Sequence, residues 1–116
     1  MARIKKLQER LQKFSDDRDW DKFHSPKNLS MALSVEASEL VECFQWLSED
    51  ESRNMPEDEV NKVVDEIADV QIYLLRLATK MDIDILKAVD NKIDKNAEKY
   101  PVDRVKGSSK KYTEYK

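Results

Sequence analysis

Two carboxylate steps of matched spacing, Glu36-x-x-Glu39 and Glu66-x-x-Asp69, are the residues of this chain best suited to chemistry. Each lies in a run that otherwise reads as an apolar helix face. At about 100° per residue, Glu36 falls among Leu29, Leu33, Leu40, Cys43 and Leu47, with Glu39 on the edge beside Trp46. Glu66 shares an arc with Val63, Val70, Tyr73 and Leu77, and Asp69 takes the edge. A carboxylate on a core-facing arc is costly unless it is paired, hydrogen-bonded or bound to a metal. Four such groups converging between two helices would suit a hard divalent cation such as Mg²⁺. Acids at i, i+3 are also common on solvated faces, and this chain has 24 acids. The arc position of both steps argues for the metal site.

Two further sets have suggestive spacing. Lys92, Asn96 and Lys99 share one helical stripe, which would hold phosphate oxygens if it lay beside the acids and is a solvated face otherwise. Trp20, Trp46 and Tyr73 offer flat faces for a nucleobase. Trp46 and Tyr73 follow the two acidic steps along their helix edges, although aromatics at helical spacing also fill cores. His24 is the only histidine. It lacks the His or Cys partners of a zinc site and reads as a hydrogen-bonding or packing residue. There is no P-loop, dinucleotide glycine turn, nucleophile elbow or Glu-x-x-His step.

The elements that must position these residues are helices. One glycine and three prolines in 116 residues, with 39% charged residues, leave little for strands and tight turns. Ile4, Leu7, Leu11 and Phe14 predict a first helix over about 2–18. Ser25-Pro26 predicts an N-cap and first position for a second, carrying Glu36 and Glu39 and running to about Leu47. The polar stretch Ser48 to Met55 reads as a loop. Pro56 with Glu57, Asp58 and Glu59 opens a third helix, its acids against the positive end. Its second half, Ile67 to Ala78, is apolar almost all round and belongs at the centre. Asp82 or Asp84 caps a fourth helix with Ile85, Leu86, Val89, Ile93 and Ala97 inward, ended by Pro101. The expectation is an all-α, four-helix bundle-like domain over 1–101, with a basic and aromatic tail, 102–116, in the same functional unit. A net charge of −3 gives no reason to expect nucleic acid. Lone Cys43 excludes an intrachain disulfide. No leader or membrane span is expected, since a span needs about 18 apolar residues, and a cytoplasmic location is the default.

The ordered stretches resemble a known family. Arg18-Asp19-Trp20, Phe23-His24-x-Pro26-x-Asn28-Leu29, Glu36-x-x-Glu39-Leu40, Phe44-Gln45-Trp46, Glu66-Ile67-x-Asp69-Val70, Ile72-Tyr73-Leu74, Lys92-x-x-x-Asn96, Tyr100-Pro101, Gly107-Ser108 and Lys111-Tyr112-Thr113-Glu114 are similar to the all-α nucleoside triphosphate pyrophosphohydrolases of the MazG-like superfamily. The likeness is greatest to the dCTP pyrophosphatase branch. The acidic pair alone is shared with dimeric dUTPases and phosphoribosyl-ATP pyrophosphohydrolases, whereas the tryptophans and tail are more specific.

The resemblance implies Mg²⁺-dependent cleavage, with Mn²⁺ as a possible substitute, of dCTP or a 5-modified dCTP to the monophosphate and pyrophosphate. It implies metal ligation by Glu36, Glu39, Glu66 and Asp69. The proton acceptor is assigned to Glu39 for its place at the arc edge. Trp20 and Trp46 are implied in the base pocket and Tyr73 at the sugar. Lys92 and Asn96 fall near the phosphates, and His24, Asn28, Lys99 and Lys111 complete the substrate-binding set. Lys99 stands where the family often has Arg, keeping the charge but losing the bidentate fork. A homotetramer of two dimers is implied, with sites between helices of neighbouring subunits. The competing readings are a broader or dUTP/dTTP-directed enzyme and a non-catalytic helical oligomeric adaptor. Intact acids at all four positions speak against the adaptor.

Overall fold

The computed structural model describes residues 2–107, and every element within them is helical. Two compact units are formed, residues 1–83 and 84–116. The first holds α1 (Ala2–Asp17), a 3-10 turn (Asp21–Phe23), α2 (Pro26–Glu42), α3 (Glu49–Arg53) and α4 (Glu57–Lys80). The second holds α5 (Ile85–Lys99) and α6 (Val102–Val105). The four long helices match the four expected from the hydrophobic periodicity. No described helix is long and apolar enough to cross a membrane.

Helix starts follow local chemistry. Ser25 caps α2 by accepting from the Asn28 amide, with Pro26 in the first position. Asp84, rather than Asp82, caps α5 by accepting from the Lys87 amide. Glu57, Asp58 and Glu59 occupy the first turn of α4, where a carboxylate meets the positive end of the helix.

Helix ends use less obvious chemistry. The Trp20 amide donates to Ser15 O at 2.9 Å and the Asp19 amide to Asp16 O at 3.1 Å, with Asp19 at φ 56°. Ile83 donates to Ala78 O at 2.9 Å and Asp82 to Thr79 O at 3.3 Å, with Asp82 at φ 53°. Both are Schellman ends in which aspartate occupies the left-handed position usually given to glycine. This is how a chain so poor in glycine turns sharply twice.

Two boundaries differ from the sequence expectation. The second α-helix ends at Glu42 rather than near Leu47, and tight turns carry the chain on. The stretch read as a loop contains α3. Its start is a capping box: Ser48 Oγ accepts from the Glu51 amide, and Glu51 accepts from the Ser48 amide. Two orphan donors are thereby satisfied at once.

Within the first unit, α2 lies along α4 and α1 also contacts α4. Among the described residues, the buried hydrophobic core consists of Leu29, Leu75 and Ala78. The second half of α4 is central only in part. Leu75, Arg76 and Ala78 are buried, but Ile67 is 53% exposed. Met31 and Val35 on α2, and Val60 and Val64 on α4, also face outward. Gln8 Nε2 donates to Thr79 Oγ1 at 2.9 Å, tying α1 to α4.

Candidate active site

The packing of α2 against α4 brings the carboxylates together. One oxygen each from Glu36, Glu39 and Glu66 lie within 4.8 Å of one another. Asp69, half-buried on α4, is close enough for its charge to act on both Glu36 and Glu66. Glu36 Oε2 and Glu66 Oε2 are buried without a hydrogen-bond partner. Leaving a buried acceptor unmade costs about 1–3 kcal/mol, and more for a charged group. Burial, a hydrogen bond to Glu39 and the neighbouring charges push Glu36 up to about 7. Burial first, then Glu39 and Asp69, raise Glu66 above the usual carboxylate range. Such a cluster holds excess negative charge that a hard cation would relieve. Orphaned oxygens from two helices therefore fit a divalent metal.

A second feature lies between α1 and α4. A cleft of about 510 Å³ is walled by Leu7, Leu11, Phe14, Trp20, Ile72 and Tyr73, with His24 and Arg76 among its polar lining. The Schellman end of α1 sets Trp20 just after the left-handed Asp19, and its ring meets Phe14 edge-on at 5.8 Å. Tyr73 is one helical turn beyond Asp69 on α4. An apolar slot with a few polar groups is the usual form of a small-molecule pocket.

Arg76 is 2% exposed. Its Nη1 donates to Gln12 Oε1 at 2.7 Å and its Nη2 to Asp21 Oδ1 at 2.9 Å. It also meets His24 Nδ1, at 3.3 Å from Nε and 3.1 Å from Nη2. Asp21 Oδ1 accepts in addition from Lys80 Nζ at 2.6 Å and Gln12 Nε2 at 2.9 Å. These donors hold the Asp21 carboxyl well below its usual range. Burial and the Arg76 charge lower His24.

The expected site residues are thus distributed unevenly. Trp20, His24 and Tyr73 share the cleft. Asn28 caps a turn, its side chain donating to Phe23 O at 3.0 Å. Trp46 is 87% exposed, beyond the end of α2, and is not among the cleft residues. Lys92, Asn96 and Lys99 are exposed on α5 in the second unit. Lys111 lies outside the described residues. The residues missed from sequence are Arg76, Asp21 and Gln12. Arg76 carried a signal, being with Asp69 the only charged residue between 67 and 78.

An all-helical chain with paired acids facing one another across two helices defines a class, and the comparisons place it. A profile of the MazG-like family matches residues 31–115. The chain is 43% identical over 103 residues to dCTP pyrophosphatase 1 of Mus musculus, covering 87% of this chain and 61% of that protein. Identity to the Homo sapiens protein of the same name is 41% over the same coverage. The crystal structure of a pyrophosphatase from Archaeoglobus fulgidus superposes with a TM-score of 0.81 at 44% identity, covering 85% of this chain and 93% of that one. This chain belongs to the MazG-like family. It spans 61% of the length of the curated relatives it matches.

Proposed function

We propose that this chain is a metal-dependent nucleoside triphosphate pyrophosphohydrolase that cleaves dCTP or a 5-modified dCTP to the monophosphate and pyrophosphate. The observation that carries this reading is the pair of buried, unpartnered oxygens, Glu36 Oε2 on α2 and Glu66 Oε2 on α4, in a cluster that brings one oxygen each of Glu36, Glu39 and Glu66 within 4.8 Å of one another. The names of the relatives, dCTP pyrophosphatase 1 and a pyrophosphatase, support the substrate and the bond cleaved.

Glu36, Glu39, Glu66 and Asp69 would hold Mg²⁺, or Mn²⁺ in its place. When bound, the cation supplies charge neutralisation for the triphosphate and acidifies a water. Glu39 accepts the proton of the attacking water on a carboxylate oxygen. Trp20 and Tyr73 flank the base and sugar in the cleft, with His24 as a polar contact. Asn28 supports that wall by fixing the turn before α2. Lys92 and Asn96 are assigned to the phosphates, with Lys99 and Lys111 in the substrate-binding set.

Trp46 is assigned to the base pocket, at an edge that a second subunit would close. An indole exposed to 87% gains when a ligand or a second subunit covers it. With the outward apolar residues of α2 and α4, it favours a homotetramer of two dimers with sites completed between subunits. The role assigned to this activity is cleansing of the nucleotide pool, in the cytoplasm.

The test is a thermal-shift titration of the full chain with Mg²⁺ and a non-hydrolysable dCTP analogue. Stabilisation that requires both and disappears in Glu36→Gln supports the reading. No stabilisation at any concentration contradicts it and leaves the adaptor.

A further inference from the structure

The Arg76 network does work that neither the carboxylates nor the family assignment accounts for. A guanidinium is always charged and only donates hydrogen bonds. Arg76 approaches His24 Nδ1 at 3.1 and 3.3 Å. Nδ1 must therefore present a lone pair, because a proton there would point into two N–H donors. Turning the ring over would set a C–H against the guanidinium and lose both bonds. The neutral ring then carries its proton on Nε2. Charged groups reach this ring from two elements: Arg76 and Lys80 on α4, and Asp21 on the 3-10 turn.

We propose that Arg76 is a positioning residue that locks His24 as the Nε2–H tautomer, making it a fixed hydrogen-bond donor for an acceptor atom of the base in the α1–α4 cleft. The inference rests on the cleft being the base slot. Three features support it. His24 and Arg76 both line the cleft. The guanidinium is itself held by Asp21 and Gln12, so its direction is fixed before a ligand arrives. The Asp21 and His24 contacts anchor the turn that follows Trp20, so one buried cation sets both a stacking wall and a polar contact. Such a donor contributes orientation rather than bond-breaking, so its loss falls on KM and not on kcat.

A single histidine makes the test direct, since one imidazole signal reports His24. Long-range proton–nitrogen correlation spectra of the ¹⁵N-labelled full chain at neutral pH should show Nδ1 bare and Nε2 protonated. Titration with dCMP should shift that signal without changing the tautomer. Arg76→Lys and Arg76→Met should give mixed tautomers and weaken dCMP about 2- to 10-fold, the scale of one hydrogen bond. KM for dCTP should rise with kcat retained, and inhibition by inorganic pyrophosphate should be unchanged. A wild-type Nδ1–H tautomer overturns the proposal. So does an unchanged tautomer and dCMP affinity in Arg76→Lys. If both variants fail to fold, the wild-type spectra decide, and a His24 signal indifferent to saturating dCMP overturns it. Failure to hydrolyse any nucleotide counts instead against the pyrophosphohydrolase reading, because the tautomer is read without turnover.

Discussion

Glu36 occupies a position where the pattern of α2 calls for an aliphatic side chain, and its burial there raises its proton affinity. Folding thus favours the protonated form relative to the ordinary value of 4.5. For a raised carboxylate, the stability contribution is full below its unfolded value and is lost as pH rises through its folded one. In chelated protein this contribution should decline between pH 4.5 and about 7. His24, held below its usual value, acts in the opposite sense in part of that window. Glu36→Gln isolates the carboxylate: it should flatten the decline in melting temperature expected on going from about pH 5 to about pH 8. A decline as steep as that of the parent would remove Glu36 from the strained cluster. The same substitution, and Glu66→Gln, should reduce turnover by about 100-fold or more in a folded protein, the scale of losing one charge-stabilising group. Near-parental kcat at saturating Mg²⁺ would contradict the ligand assignment. The acids were legible because two steps broke the same pattern in the same way. Arg76 was not, because periodicity marks which face a residue shares but not that Gln12, Asp21 and His24 converge on it from across the chain.

At the level of elements, starts were easier to read than ends. Ser25 and Asp84 each satisfy an orphan amide with a local side chain, and Pro56 precedes three acids in the first turn of α4, so sequence alone exposes these starts. The ends of α1 and α4 rest on aspartates in a left-handed conformation, where glycine is the usual marker. The short α3 escaped because its capping box sits in a polar stretch with no apolar period. The two left-handed aspartates give a direct prediction. Asp82→Gly should stabilise the fold by about 0.5–1 kcal/mol, since glycine pays no Cβ penalty at positive φ. Asp19→Gly should do the same while leaving Trp20 in place. Urea unfolding measures both changes. Destabilisation by either would mean that the aspartate side chain contributes more than its backbone strain costs.

For the whole molecule, the small apolar core and the outward-facing residues of α2 and α4 set the expected assembly. Val35 is 57% exposed and Val64 56%, and burying such a side chain is worth about 1.5–3 kcal/mol. Light scattering at micromolar concentration should give the mass of a tetramer, and Val64→Arg should lower it. A stable, active monomer would contradict the assembly. Fold class was legible from composition, since one glycine and a dense charge pattern leave little besides helices. The proposed assembly rests, in the sequence, on the family resemblance and the apolar second half of α4, because periodicity does not say which apolar face a neighbouring copy covers. The central claim, metal-dependent pyrophosphohydrolysis by facing carboxylates, is tested most directly by identifying the products formed from dCTP. With Mg²⁺ the full chain should release dCMP and pyrophosphate; chelation should abolish both, and Glu36→Gln should cut both by about 100-fold or more. Formation of dCDP and orthophosphate, or equal release of dCMP and pyrophosphate under chelation, would contradict it.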